Sequence, residues 1–208
     1  MATGWQDAGR ARRAFAEVIE GLDDEQLDAT TPCGSWTPRH ILGHLTSFVD
    51  IGLGGFFATM ARHRFDYDAA ADTLARKMAE RPVDDLLATL RANAEKKAWL
   101  PVFPEIMTVT DAVVHTQDVR RGVGLTDQPD EDLLRSALAC MVTSKMARNL
   151  GGPKLDGLSF TATDLGWSSG SGASVEGTGE ALLMAMTGRA VLDELSGDGV
   201  EQLRSSSS

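Results

Sequence analysis

The feature that most constrains the fold is a change of repeat length along the chain. Up to about residue 151, apolar residues recur at three- and four-residue intervals between cap and turn residues; after Pro153, short alternating runs take over. A chain patterned this way is expected to be mainly α, a helical bundle over residues 1–151 with a small α+β segment over 152–204. The closing serines, 205–208, read as a disordered tail.

Within the first part, Phe15, Val18, Ile19 and Leu22 mark a helix ending near Gly21. Thr37 followed by Pro38 is a helix start, because proline at the first helical position lacks an N–H that would have no partner anyway. This second helix is expected to run through "RHILGHLTSFVDIGLGGFF". A third helical region, from Tyr67 to about Trp99, should kink at "ERPVDD", where Pro82 disfavours continuous helix, and "WLPVFPEI" should form a connection. A fourth helix is expected to reach Arg121, closed by Gly122 and Gly124. The fifth covers "DEDLLRSALACMVTSKMARNL" and stops at "GGP". In the second part, strands are expected over 158–163 and 173–176, flanking a Gly/Ser loop in which Trp167 anchors the turn. The helix "GEALLMAMTGR" follows.

A formal net charge of -10 opposes a polyanionic partner, so no nucleic acid is expected. The one basic cluster, Arg10 to Arg13, reads as the solvated face of an amphipathic helix. No stretch approaches the roughly 20 apolar residues of a membrane span and no apolar leader is visible, which predicts a cytoplasmic protein that does not engage a membrane. Cys33 and Cys140, far apart in sequence, read as packing thiols rather than as a disulfide framework.

Chemistry concentrates in "TDAVVHTQD". Asp111 and His115, four residues apart, share a helix face and can converge on one atom. That spacing suits a metal ion and equally suits a buried hydrogen bond. Of the other histidines, His63 lies in a polar segment. His40 and His44 are also four apart, but the stripe of Ile41, Leu45 and Phe48 places His44 beside the core and His40 near the helix start and solvent. His44, Asp111 and His115 therefore form a three-ligand candidate set, two imidazoles and a carboxylate with coordination positions left open. Asp118, three residues after His115, can fix the tautomer of a ligating imidazole or simply pair with Arg120 or Arg121.

"PCGSWTPRHILGHL", "DAVVHTQDVRRGVGL" and "ATDLGWSSGSGASVEGTGEALLMAMTGRAVLDELSGDG" resemble, in that order, the helix start, the second metal motif and the C-terminal segment of the DinB-like, mycothiol-dependent maleylpyruvate isomerase family. The stretch from about Gly52 to Pro104 matches no motif. The resemblance implies a DinB-like four-helix bundle with a small sterol-carrier-like C-terminal segment, and His44, Asp111 and His115 as ligands of a divalent metal, zinc first, with nickel or iron as alternatives. The family pattern carries Glu where this chain has Asp111, one methylene shorter, which bears on metal affinity and choice. It further implies an isomerase or S-transferase in which mycothiol, a low-molecular-weight thiol, attacks an electrophilic small molecule as thiolate, needing no protein cysteine. Arg189, in "MTGR", takes the place of the family's C-terminal active-site arginine; an arginine ending a helix is also a natural partner of the helix dipole. A metal-dependent hydrolase and a non-catalytic small-ligand binding module are the alternatives, as a monomer or homodimer.

Overall fold

In the computed structural model, which describes residues 4–97, 104–148 and 152–206, the chain is mainly helical with one small sheet. Its contacts divide it into two units, the first ending at Thr126 and the second beginning at Asp127.

The first unit comprises α1 (Trp5–Glu20), α2 (Asp24–Leu27), α3 (Pro38–Asp50), α4 (Leu53–Arg62), α5 (Tyr67–Ala79), α6 (Val83–Ala92) and α7 (Glu105–Gly122). α7 packs against α1 and α3, and α3 packs against α5 and α6. Helix starts follow local chemistry. Thr37 accepts from the backbone of His40 while the His40 ring accepts from the Thr37 N–H, a reciprocal cap that sets where α3 begins. Asp23 and Gln26 make the same exchange at α2, and Asp66 caps α5. α3 buries Ile41, Leu42, Leu45, Phe48 and Val49 in the core.

One expectation about these helices is corrected. The second helix does not continue to Phe57: Ile51 and Gly52 adopt extended backbone and separate α3 from α4. Glycines at 52, 54 and 55 weaken continuous helix there, since glycine loses most on ordering. The break near Pro82 does occur, between α5 and α6. Most of the "WLPVFPEI" connection, and the "GGP" stop up to Gly151, lie outside the described residues.

α7 is buried on nearly every side, from Met107 to Val119. An amphipathic surface helix has one wet face, so a helix that buries Thr108, Thr110, His115, Thr116, Gln117 and Asp118 together must satisfy its polar groups internally. Thr110 and Thr116 do so by donating to the carbonyls of Ile106 and Ala112. The acidic and imidazole groups are satisfied differently, as described below.

The second unit contains α8 (Glu131–Thr143), α9 (Lys145–Arg148), β1 (Leu158–Ala162), β2 (Trp167–Gly170), β3 (Ala173–Gly177), α10 (Gly179–Met186) and α11 (Val200–Ser205). The sheet order is β2-β1-β3, with β2 antiparallel and β3 parallel to β1. The Gly/Ser stretch expected as a loop thus supplies a third strand, with Trp167 opposite Ala162. Serine alternation gave it no apolar face to read. Leu158, Phe160, Ala162 and Val175 pack beneath α10, which is buried throughout. α8, placed with the bundle on sequence grounds, packs against α10 and β2. α11 extends through Ser205 and is closed by Ser206, so the terminal serines begin as helix.

Candidate metal centre

Three side chains from two helices of the first unit meet at one point. The Oδ1 of Asp111 on α7 lies 3.5 Å from the Nε2 of His44 on α3 and 3.5 Å from the Nε2 of His115, one turn further along α7. Together they form a group able to hold a metal ion. The separation is long for a hydrogen bond to a carboxylate. It is close to the spacing of roughly 3.3 Å expected between two donors about 2.05 Å from a shared tetrahedral ion. The side chains of His44 and His115 are 6% and 9% exposed, whereas that of Asp111 is 24% exposed, so solvent reaches the group from the carboxylate side.

The rings are held from behind. His115 Nδ1 lies 2.9 Å from Asp118 Oδ2, whose side chain is fully buried. That bond fixes the proton on Nδ1 and presents Nε2 to Asp111 and His44. The His44 ring meets Phe48 edge-on at 4.9 Å and Trp36 at 4.8 Å, and Trp36 also lies 5.8 Å from the His115 ring. The Trp36 indole is in turn fixed by donating to Asp72 at 2.8 Å. Trp36 therefore forms a wall of the imidazole pair.

Electrostatics separate the two imidazoles. Burial drives His44 below its ordinary value, only partly countered by the charge and hydrogen bond of Asp111. Burial pushes His115 the same way, but Asp118, Cys33 and Asp111 overcome it and raise His115 to about 10. Burial alone would raise the Asp111 carboxyl, yet His44, His115 and Arg12 bring it below the usual carboxylate range. Without a metal, the group near neutral pH holds an anionic Asp111, a cationic His115 and a neutral His44.

The other sequence candidates fall elsewhere. His40 is committed to the α3 cap and His63 Nε2 pairs with the Thr73 hydroxyl at 2.8 Å, so His40 and His44 do not act as a pair. Arg189 follows α10 in the second unit, and its guanidinium donates to the Thr187 carbonyl at 2.8 Å.

Three participants were not singled out by the sequence. Cys33, read as a packing thiol, forms a second potential donor group with His115 and Asp118. Because Asp118 already engages Nδ1 of the shared imidazole, the set with Nε2 available is His44, Asp111 and His115. Tyr67 is partly buried beside the same carboxylate; burial and then the Asp111 charge hold its phenol proton well above the ordinary value. Arg12, assigned to a solvated face, is 1% exposed. Its spacing would have placed it correctly: it lies four residues after Ala8 and three before Phe15, on the face that α1 buries.

Residues 8–100 match the family described as the mycothiol maleylpyruvate isomerase N-terminal domain. Two solved structures share the fold: a mycothiol-dependent maleylpyruvate isomerase, 15% identical with a TM-score of 0.59, and a histidine-to-alanine mutant of such an enzyme, 14% identical with a TM-score of 0.58. Each comparison covers 93% of this chain and 91% of the other. No curated protein matches the chain. The matched domain spans α3, which carries His44, and ends before Asp111 and His115; over most of the chain the likeness to the two solved structures is one of fold.

Proposed function

We propose that the protein is a divalent-metal-dependent enzyme that uses a low-molecular-weight thiol, mycothiol, to isomerise an electrophilic small molecule. The observation that carries the reading is the convergence of two buried Nε2 atoms on one carboxylate oxygen, each 3.5 Å away, a spacing that a shared metal ion would accommodate. The match of residues 8–100 to the mycothiol maleylpyruvate isomerase N-terminal domain, with the shared fold, supports the choice of thiol and reaction class. Zinc is the first choice of metal, since two imidazoles and a carboxylate suit it and leave a position open.

When bound, such an ion stabilises a thiolate at neutral pH and so supplies a nucleophile. The chain's residues do the rest. Asp118 keeps the His115 proton on Nδ1, Trp36 and Phe48 hold the His44 ring in place, and the exposed side of Asp111 leaves an approach for the thiol and its partner. Isomerisation balances without an oxidant. The thiolate sulfur adds to one carbon of a conjugated cis double bond, the resulting single bond rotates, and the same carbon–sulfur bond breaks to regenerate the thiolate and the trans alkene. Maleylpyruvate, the substrate named for the structural relatives, is the first compound to test. Asp118 is proposed as the residue orienting His115.

The test is metal content of chelator-free protein by plasma mass spectrometry, with mycothiol-dependent turnover of maleylpyruvate. About one metal per chain, lost in His44→Ala and His115→Ala, together with turnover that requires the thiol, is expected. Metal with turnover in the absence of thiol would favour a hydrolase. Failure to bind any divalent ion would reduce the three side chains to a core polar contact.

A further inference from the structure

Among the described residues of the first unit, Arg12 is a buried cation that the reading above does not use. Arg12 stands on the face of α1 that packs against α7, buried among Ala8, Ala11, Phe15 and Ala16. Its Nη1 donates to the carbonyls of Ala94 and Lys96 at 2.8 and 2.9 Å, which fixes the plane of the guanidinium. Its Nη2 is buried and has no hydrogen-bond partner among the described residues. Leaving such a donor unmet is costly, and more so on a charged group.

Arg12 is also electrically part of the candidate centre. Burial lowers its pKa to about 10 while the charge of Asp111 opposes that shift, and Arg12 in turn helps keep Asp111 ionised. It is therefore a cation at neutral pH. With a divalent ion held by Asp111 and two neutral imidazoles, the metal and its three ligands carry one net positive charge, and Arg12 adds a second. A centre with that surplus favours an anionic ligand.

We infer that Arg12 is a ligand-binding residue of this centre, its free Nη2 receiving a carboxylate oxygen of the small molecule that enters beside Asp111. The guanidinium is suited to the task because two carbonyls already immobilise it, so little further order is lost when the anion arrives. The inference rests on the metal-centre reading for its charge surplus. The orphaned Nη2 is independent of that reading.

The test uses the full chain, loaded with zinc and also chelator-treated, titrated calorimetrically with maleate and with uncharged dimethyl maleate. Arg12→Met keeps the length of the side chain without charge or donors. Arg12→Lys keeps the charge and one set of donors to the Ala94 and Lys96 carbonyls, and reads the same effect if the Met variant does not fold. Maleate affinity is expected to fall roughly 10- to 100-fold in Arg12→Met and by a smaller factor in Arg12→Lys, the range set by loss of a charge-assisted hydrogen bond. Zinc stoichiometry should persist in folded variants, and binding of the diester should not change. Equal maleate affinity in wild type and a folded variant, or no maleate binding to zinc-loaded wild type, would overturn the inference and leave Arg12 as a clamp on the Ala94–Lys96 carbonyls. A wild type that takes up no zinc would instead defeat the metal reading, and the comparison of Arg12→Met with chelator-treated wild type would still decide whether Nη2 binds the anion.

Discussion

His115 and Asp118, three residues apart on α7, are joined side chain to side chain at 2.9 Å in a part of the bundle where Asp118 has no exposure to solvent. The carboxylate determines which ring nitrogen faces His44 and Asp111. Asp118→Asn keeps the shape but weakens the acceptor and removes the charge. The expected outcome is a 10- to 100-fold loss of zinc affinity in a competition titration, with the fold retained. Unchanged affinity would show that the ring orients itself without Asp118.

Asp111→Asn separates the two meanings of the 3.5 Å contacts. If the three side chains form only a core hydrogen-bonded cluster, an amide replaces the carboxylate with modest change in stability. If they form a metal site, the neutral amide is a much poorer ligand for the cation, and retained zinc per chain should fall well below one by mass spectrometry. Asp111→Glu restores the longer acid and is expected to keep the metal.

Protonation of His115 competes with metal. Its proton on Nε2, held up to a pKa of about 10, must leave when a cation takes that nitrogen. Zinc affinity is therefore expected to rise about tenfold per pH unit from near 6.5 towards 10, in a metal-buffered titration corrected for hydroxide binding by zinc.

The same shift sets the stability of the metal-free protein. His115 is raised above its ordinary 6.5, so its contribution is complete below that pH and disappears as pH rises through about 10. His44 is lowered by burial, so its contribution is present above 6.5 and lost as pH falls. Thermal melts of chelator-treated protein should peak near pH 6.5. His115→Gln should flatten the alkaline limb and His44→Gln the acid limb near neutrality.

Gly43, beside His44, lies where α3 approaches α5: a Cβ there would collide with the Ala75 carbonyl oxygen and sit 3.0 Å from the Ala79 nitrogen. Backbone cannot yield as a flexible side chain does. Gly43→Ala is expected to destabilise the first unit by about 1–3 kcal/mol, seen as a drop of several degrees in melting temperature.

The local half of this protein was written in short stretches of sequence. Thr37–Pro38 specified where α3 starts, the spacing of Ile41, Leu45 and Phe48 turned His44 inward, and the four-residue interval of Asp111 and His115 put them on one face of α7. Each of these depends on neighbours within a turn or two, which helical geometry fixes. The break between α3 and α4 and the strand Trp167–Gly170 were missed because glycine and serine carry little apolar signal, and pairing partners decide their state.

What only tertiary structure decided was the company those residues keep. The sequence could not choose between a metal and a hydrogen bond for Asp111; the 3.5 Å separations from two Nε2 atoms on different helices bear on that choice, and they exist only once α3 packs beside α7. Nor could it bring Arg12, Cys33 and Tyr67 to the same neighbourhood, since their approach depends on how α1, the loop before α3 and the start of α5 pack around the bundle. Periodicity determines which face of a helix is buried; which charges then meet inside is set by helix-to-helix packing, and a buried charge answers to its spatial neighbours rather than to its place in the chain.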